Sequence, residues 1–510
     1  MGETLISFYK NNLKQRWKIA FFTAFLTCFL VHIYKLTNTL PNHDSLFNVY
    51  TNQDVTASGR WFLQYACCIS SYFDLPWVNG LLCAVYLGIT SAAVAELFEM
   101  DDPVLIGLSS IILVTCPSTT ETMFFGYTAD GYLLGLSLAA ISACLSVKET
   151  RNSLEQILCI VLLCITTAIY QAYISFAAVL CAGWLIHKMV CSEIDFPHAF
   201  RWIIRHIILY CCALAAYYLI WKGILVFTGQ SATSYQGISE VGTEISLSTL
   251  MSGAVKSIQN LLFLFLEWNI LEHPVTFYGV MNIVFFLCFG LILIVAVRKC
   301  HAAKGALSFT VLIAALCIPV MSIWCFVSNG VAYRPMMLHS AVVLYIVALV
   351  FADRWLIPRY STLFAGLAMI MVFNFAVMAN IGYFYLDKCY ERSYYIGSQL
   401  MEDITEQTKS NSNIQRIAFV GDRAEDVAVT PDFPGIRIHI LSSHLEEDLL
   451  YDHIHSYLFL QETFGLELDR VSEAEAKDLA NLPDVKNLEQ WPKENSDIVI
   501  DDLLIIKISE

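Results

Sequence analysis

Four ionisable side chains stand close together between Leu36 and Trp61, directly after the first long apolar segment of the chain. They are an imidazole, two carboxylates and a guanidinium, from His43, Asp44, Asp54 and Arg60. A carboxylate can take the proton of an attacking hydroxyl group, and a guanidinium can bind a phosphate through two parallel hydrogen bonds. This combination suits the transfer of a group from a phosphate leaving group to a hydroxyl.

Further polar residues occur where other apolar segments end. Such groups are costly at the mouth of a membrane bundle, so they usually have a function. On the topology predicted below they lie on the same side as the first four: Glu121, Tyr127, Asp130, Gln171, Lys222, Arg334 and His339.

The composition indicates a polytopic α-helical membrane protein. The chain has 510 residues, of which 57% are hydrophobic, and its mean hydropathy is +0.59. Basic residues before the first apolar segment place the N-terminus in the cytoplasm. A helix needs about 20 apolar residues to cross the hydrocarbon core. The pattern predicts about 11 spans, near residues 19–35, 77–97, 104–117, 131–147, 154–169, 174–190, 206–227, 277–297, 306–326, 337–352 and 361–382.

The loops between these spans are predicted from their polarity. Residues 118–130 form a second polar outer loop, and the amphipathic stretch 254–271 lies along the membrane surface. The odd number of spans leaves the C-terminal part outside.

The C-terminal part differs in composition from the rest of the chain. Residues 401–510 hold 24 acidic and 9 basic residues, so the net charge of −15 resides there, and the remainder is neutral. An acidic tail argues against nucleic acid as a partner. Apolar runs at 416–421, 436–441 and 498–506 alternate with helical patterns. We therefore predict a membrane domain over 1–383 and a small extracytoplasmic α/β domain over 384–510.

No cluster of metal ligands stands out in the sequence. The 17 cysteines lie almost all in apolar segments, where cysteine is usually a small hydrophobic residue. The sequence therefore predicts no dedicated metal site and no firm cofactor. Whether Asp44 and Asp130 share a divalent cation such as Mg²⁺ or Mn²⁺ is left open.

Three short motifs in a fixed order carry a resemblance to a known family. They are Asn42-His43-Asp44-Ser45, Ser58-Gly59-Arg60-Trp61 and Tyr127-Thr-Ala-Asp130-Gly-Tyr. With the N-in first span, they resemble the GtrII-type glucosyltransferases, bacterial membrane proteins similar to the GT-C class. The resemblance covers roughly residues 15–380.

The resemblance implies a fold, a reaction and a location. The fold is GT-C-like, and the reaction inverts the anomeric carbon by direct displacement. The donor is a polyprenyl-phosphate-linked sugar, often glucose, and the acceptor is O-antigen or another envelope glycan. The site is on the outer face of the bacterial cytoplasmic (inner) membrane. GT-C enzymes carry an essential acidic residue in the first outer loop, and Asp44 matches that position.

Each residue of the first loop also has a plain structural interpretation. Asp44 is the candidate catalytic base, but Asp-Ser before Leu-Phe also suits the N-cap of an interfacial helix. His43 is expected to orient its neighbour rather than act as a second base. Asp54 fits a solvated carboxylate as well as a substrate ligand. Arg60 either binds substrate or anchors at the lipid headgroups.

The later candidates have similar alternatives. Asp130 either caps the fourth span or binds donor or acceptor. Gln171 either forms a simple turn or contacts the sugar. Arg334 and Lys222 either hold the donor phosphate or anchor at the interface. The predicted substrate-binding set is His43, Asp54, Arg60, Glu121, Tyr127, Asp130, Gln171, Lys222 and Arg334, whereas His339 is interpreted as a satisfied bundle histidine.

Other functions compete with a glycosyltransferase. An envelope polysaccharide polymerase or ligase would also use outer-loop arginines. A transporter or flippase for lipid-linked saccharides predicts internal repeats and charged helices at the bilayer midplane. A scaffold protein predicts that the loss of Asp44 is harmless. The sequence shows no two-fold repeat and gathers its polar residues on one side, which favours the enzyme.

Overall fold

The computed structural model describes residues 13–48, 55–148, 152–233, 247–266, 276–300, 304–326, 333–421, 441 and 449–509. The chain divides into two units. The helical unit comprises Met1–Thr39, Asp54–Asn380 and Phe433–Ser442. The sheet unit comprises Leu40–Gln53, Ile381–Asp432 and Ser443–Glu510.

Helices make up most of the described chain. In chain order they are α1 (Gln15–Thr37), α2 (His43–Asn48), α3 (Leu63–Ala66), α4 (Pro76–Leu97), α5 (Pro103–Thr115), α6 (Pro117–Phe124), α7 (Gly126–Val147), α8 (Ser153–Ile169), α9 (Tyr173–Val190), α10 (Phe196–Thr228), α11 (Leu247–Leu266), α12 (Phe277–Lys299), α13 (Lys304–Met321), the 3₁₀ helices Ile323–Phe326 and Pro335–Ala341, α14 (Val342–Trp355) and α15 (Pro358–Ser410).

Local signals in the sequence explain where several of these helices start and stop. Asp102 and Asp195 cap α5 and α10 by accepting a backbone N–H with the side chain. Asn152 and Glu155 form a reciprocal capping box on α8. Gly229 ends α10 in the left-handed conformation that favours glycine.

Within the described residues, nine helices are long and apolar enough to cross a membrane. The pair α5 and α6, bent by 42° at Cys116, would make a tenth. The predicted membrane character is thereby confirmed. Two of the eleven predicted spans, 154–169 and 306–326, correspond to apolar stretches of 10–17 residues, Ser153–Ile169 and Leu307–Met321 within α13, so the exact number and the sidedness stay predictions.

One of the loop predictions was wrong. Residues 118–130 do not form an exposed polar loop, because every one of them is buried in α6 and the start of α7. The amphipathic stretch predicted at 254–271 overlaps the helix Leu247–Leu266, which is long and apolar enough to cross a membrane, so its place on the membrane surface stays a prediction.

The sheet unit contains a four-stranded sheet. The strands are β1 (Arg416–Val420), β2 (Asp469–Arg470), β3 (Asp497–Ile500) and β4 (Leu503–Lys507), in the order β2-β1-β4-β3. β1 is parallel to both β2 and β4, and β3 and β4 form an antiparallel hairpin. The helices of this unit after β1 are α16 (His453–Phe464), α17 (Glu473–Leu479) and α18 (Pro483–Lys486).

The strands predicted at 416–421 and 498–506 are therefore confirmed, whereas β2 was not predicted. Most of the run at 436–441 lies outside the described residues. The sheet unit also takes in residues 40–53, which precede most of the helical unit in sequence. The boundary predicted at 383/384 falls inside the continuous helix α15.

Candidate functional site

A tight turn at Gly59 organises the polar end of the helical unit. Gly59 has φ +83°, and a Cβ atom there would lie 2.4 Å from the Tyr217 hydroxyl oxygen and 2.7 Å from Gln171 Nε2. Tyr217 donates a hydrogen bond to Gly59 O (3.0 Å), and Gln171 donates to Ser58 O (2.8 Å). Trp221 adds a bond from its indole N–H to Thr56 O (2.8 Å). The turn is therefore fixed by α10 and by the connection between α8 and α9.

This turn presents Arg60 to α7. The Arg60 guanidinium donates to Ser58 Oγ (3.0 Å) and to the Tyr132 hydroxyl oxygen (3.1 Å). A guanidinium has five donors, so these two bonds leave capacity for a bidentate contact with an anion. Arg60 is half-buried, which suits a group that meets a ligand at the edge of a bundle.

Three tyrosine rings, here called the tyrosine row, extend from Arg60 into the helical unit and end at His339. The ring centroids of Tyr132 and Tyr170 are 4.9 Å apart, those of Tyr170 and Tyr173 are 5.1 Å apart, and those of Tyr173 and His339 are 5.3 Å apart. All four side chains are buried. Tyrosine combines a large apolar ring with a hydroxyl that usually finds a hydrogen-bond partner when it is buried.

The far end of this row is formed by α6 and the 3₁₀ helix Pro335–Ala341. Glu121 is fully buried and accepts a hydrogen bond from the backbone N–H of Met336 (3.1 Å). His339 bonds to Met336 O through Nδ1 (3.0 Å) and lies 3.3 Å from Thr119 Oγ1 through Nε2. This confirms the interpretation of His339 as a satisfied bundle histidine.

Arg334 immediately precedes that 3₁₀ helix and belongs to the same cluster. It acts electrostatically on the Tyr170 hydroxyl, as Arg60 does. Its buried Nη1 atom has no hydrogen-bond partner among the described residues. A buried guanidinium nitrogen without an acceptor is costly, so the arrangement suits an anionic ligand.

Asp130 is the second acidic residue of this end of the unit. It lies inside α7, four residues after the first residue Gly126, so the prediction that it caps the helix was wrong. The side chain is fully buried, and neither carboxylate oxygen has a well-formed hydrogen bond within the described residues. The Ser70 hydroxyl lies beside it but donates to Cys67 O (3.0 Å).

The sequence analysis missed a buried ion pair at the same end. Lys35 Nζ, in the last turn of α1, is 3.4 Å from Asp74 Oδ2, with side-chain exposures of 4% and 14%. The Asp74 carboxylate also lies against Gly126, where a Cβ would come within 2.2 Å of Oδ1. The sequence held one signal of this pair, which was the position of Lys35 at the end of the span predicted at 19–35. Buried lysines are rare unless they are paired with an acidic group.

The remaining candidates of the helical unit are placed differently. Gln171 supports the backbone of the Gly59 turn. Tyr127 is buried against Tyr72, with ring centroids 5.5 Å apart. Lys222 is exposed and lies over the rings of Tyr218 and Trp221, at 5.6 and 5.2 Å, so the structure does not bring it into the cluster. Asp54 lies outside the described residues.

Asp44 and His43 belong to the sheet unit. Asp44 lies in the first turn of α2, but the cap of this helix is Asn42, whose Oδ1 accepts the backbone N–H of Ser45 (3.0 Å). The alternative that Asp44 is the N-cap was therefore wrong. Its side chain is 39% exposed and lies 3.4 Å from His43 Nε2, so it is accessible to a substrate.

The helical unit also contains an apolar cavity of about 400 Å³. Side chains of α9, α12, α13 and α14 line it, including Val179, Phe289, Val311, Val347 and Phe351. No group of three or more His, Cys, Asp or Glu side chains in the described part of the chain is arranged to hold a metal ion.

A comparison with known protein families gave a match to this chain. Residues 33–352 match the family described as Glucosyl transferase GtrII. This range spans more than half of the chain and includes the Gly59 turn, the tyrosine row, Glu121 and Arg334. A search of curated proteins and a search of solved structures gave no match.

The Gly59 turn provides a direct test of the site architecture. We expect Gly59→Ala to destabilise the protein by about 1–3 kcal/mol, because alanine is strained at positive φ and its Cβ would overlap the Tyr217 hydroxyl. The measurement is the thermal unfolding midpoint in detergent. Gly223→Ala is the matched control, because a Cβ at Gly223 in α10 meets no atom within 4 Å.

A second variant separates the strain at positive φ from the overlap with the Tyr217 hydroxyl. Adding Tyr217→Phe to Gly59→Ala removes the nearest overlapping atom, so we expect part of the lost stability to return. An unchanged midpoint for Gly59→Ala would show that the turn is not built as described.

Proposed function

Because the chain belongs to the Glucosyl transferase GtrII family, we propose that it moves a glucosyl group from a polyprenyl-phosphate donor to an envelope glycan such as O-antigen. The reaction inverts the anomeric carbon in a single displacement. It takes place on the outer face of the bacterial cytoplasmic membrane, with the N-terminus inside and the sheet unit outside. The family match over residues 33–352 is the observation that carries this proposal.

Asp44 is proposed as the general base. In a direct displacement, the acceptor hydroxyl loses its proton to a carboxylate as its oxygen attacks the anomeric carbon. The bond from that carbon to the phosphate oxygen then breaks, and the polyprenyl phosphate leaves with the electron pair. The Asp44 side chain is 39% exposed and does not cap α2, so an acceptor hydroxyl can reach it.

Arg60 and Arg334 are proposed to hold the donor phosphate. Both arginines adjoin the tyrosine row, and each has guanidinium donors beyond those used in the fold. Fixed positive charge stabilises the charge that grows on the leaving phosphate oxygens. The buried rings of Tyr132, Tyr170 and Tyr173 would contact the sugar, with Glu121 and Asp130 as hydrogen-bond acceptors for its hydroxyls.

The polyprenyl chain needs an apolar path inside the protein or along its surface. The cavity of about 400 Å³ has almost entirely apolar walls, which suits several isoprene units. A transporter would instead need charged or broken helices near the middle of the bilayer. The buried charges described here gather at one end of the helical unit, which favours transfer over transport.

One prediction of this proposal concerns the general base. We expect Asp44→Asn to lower glucosyl transfer by roughly 10²–10⁴-fold, the scale of a lost general base, because the amide cannot accept the proton. The measurement is the transfer of labelled glucose from polyprenyl-phosphate-glucose to endogenous glycan in membranes, at matched expression. Asp478→Asn, at an exposed carboxylate of α17, is the control and should keep the wild-type rate.

Asp130→Asn is measured in the same series. If Asp44→Asn keeps the wild-type rate while Asp130→Asn is inactive, the base is Asp130 and the assignment above is wrong. If the wild-type protein transfers no polyprenyl-linked sugar, the choice of donor is refuted.

Another prediction concerns phosphate binding by Arg60. We expect Arg60→Ala to lower kcat/KM for the donor by roughly 10²–10³-fold, the scale of one lost anion-stabilising donor. Arg60→Lys keeps the charge but loses the planar pair of donors, so we expect an intermediate loss. Tyr132→Phe removes only the hydroxyl that orients the guanidinium. Wild-type kinetics for Arg60→Lys would show that Arg60 is only a headgroup anchor.

A further inference from the structure

The segment that carries Asp44 is packed into the core of the sheet unit. Leu46 is 3% exposed and belongs to the same apolar cluster as Leu400, Phe419 and Phe459. Phe47 packs against that cluster. The hydrophobic side of α2 is therefore fixed by residues that follow it by more than 350 positions.

The side of α2 that carries His43 and Phe47 is fixed by His455 in α16 and by Tyr451 just before that helix. The His43 ring meets the rings of Tyr451 and His455 edge-on, with centroids 5.9 and 5.8 Å apart. Phe47 contacts His455 in the same way, with centroids 4.6 Å apart. Two successive turns of α2 thus rest on one imidazole, that of His455.

The His455 ring is itself held in one orientation. Its Nδ1–H donates to Asp452 Oδ1 (2.7 Å), and its Nε2 accepts a hydrogen bond from the Tyr451 hydroxyl (3.1 Å). The same Asp452 oxygen accepts the backbone N–H of His455 (2.8 Å) and so caps α16. Burial alone would raise the pKa of Asp452, but its hydrogen bonds with His455 hold the pKa below the ordinary value.

We propose that Tyr451 and His455 are positioning residues for Asp44. They fix the His43 ring, and His43 in turn borders the Asp44 carboxylate, with Nε2 and Oδ1 3.4 Å apart. This inference rests on the proposed function, because it takes Asp44 as the base. It gives the sheet unit a defined part in catalysis: it sets the direction of the carboxylate toward the acceptor hydroxyl.

The chain offers a matched pair of histidines for the test. His453 and His455 lie two residues apart on α16 and are 6% and 4% exposed. His453 faces the sheet: its Nδ1 accepts the backbone N–H of Phe419 (3.1 Å), and its Nε2 donates to Val471 O (3.0 Å). His455 faces α2. Substitution of His453 tests general loosening of the unit, and substitution of His455 tests the contact with the Asp44 segment.

The experiment uses the full chain and two readouts. We expect His455→Ala to lower kcat for glucosyl transfer on the order of 10- to 100-fold, the scale of a misplaced reacting group, with an unchanged KM for the donor. Amide hydrogen exchange should accelerate in residues 40–48 but not in β1 or β4. Tyr451→Phe, which removes a single oxygen, should lower kcat by about 2- to 10-fold, the equivalent of one neutral hydrogen bond.

His453→Ala should accelerate exchange in β1, because the Phe419 N–H loses its acceptor. If His455→Ala changes neither the amide hydrogen-exchange rate of residues 40–48 nor kcat, the positioning role is refuted. It is also refuted if exchange accelerates while kcat stays at the wild-type value and Asp44→Asn is inactive. A fully active Asp44→Asn variant would refute the base itself, and the exchange rates would show separately whether the contact exists.

Discussion

The left-handed turn at Gly59 is the constraint on which the polar end of the helical unit depends. Only a residue without a side chain can pass between the Tyr217 hydroxyl and the Gln171 amide. Both groups use that closeness to bond the backbone of the turn, so α10 and the α8–α9 connection are fixed to it. Arg60 then follows in the one direction that brings its guanidinium to Tyr132.

Much of this organisation could be predicted from the sequence because apolar spans and short motifs are local signals. The spans near 77–97, 174–190 and 277–297 appear as helices within two residues of the predicted ends. The burial of residues 118–130 in helices could not be predicted, because a run of hydroxyl side chains is typical of a solvent-exposed loop. Inside the unit some of them donate to nearby backbone carbonyls, as when Thr122 donates to Ser118 O (2.8 Å) and Thr119 donates to Leu113 O (2.7 Å).

Contacts between distant residues account for the other omissions. Lys35 and Asp74 are 39 residues apart, and no local pattern joins them, yet the buried pair leaves neither charge alone. At the opposite end of the helices, Lys148 and Glu155 form an exposed ion pair. In the sequence alone such a pair cannot be distinguished from the buried pair of Lys35 and Asp74, but it contributes little stability. The membership of Asp44 in the sheet unit depends on contacts with residues beyond 390, which no span or motif indicates.

The core around Leu46 also sets an order of events in biosynthesis. A ribosome makes α2 more than 400 residues before Phe459 and the strand β4, which complete its core. Contacts of such long sequence separation form late, because the chain between them must be closed first. The segment with Asp44 therefore waits for more than 400 further residues, and a chain that ends before β1 contains that carboxylate without the core that holds it.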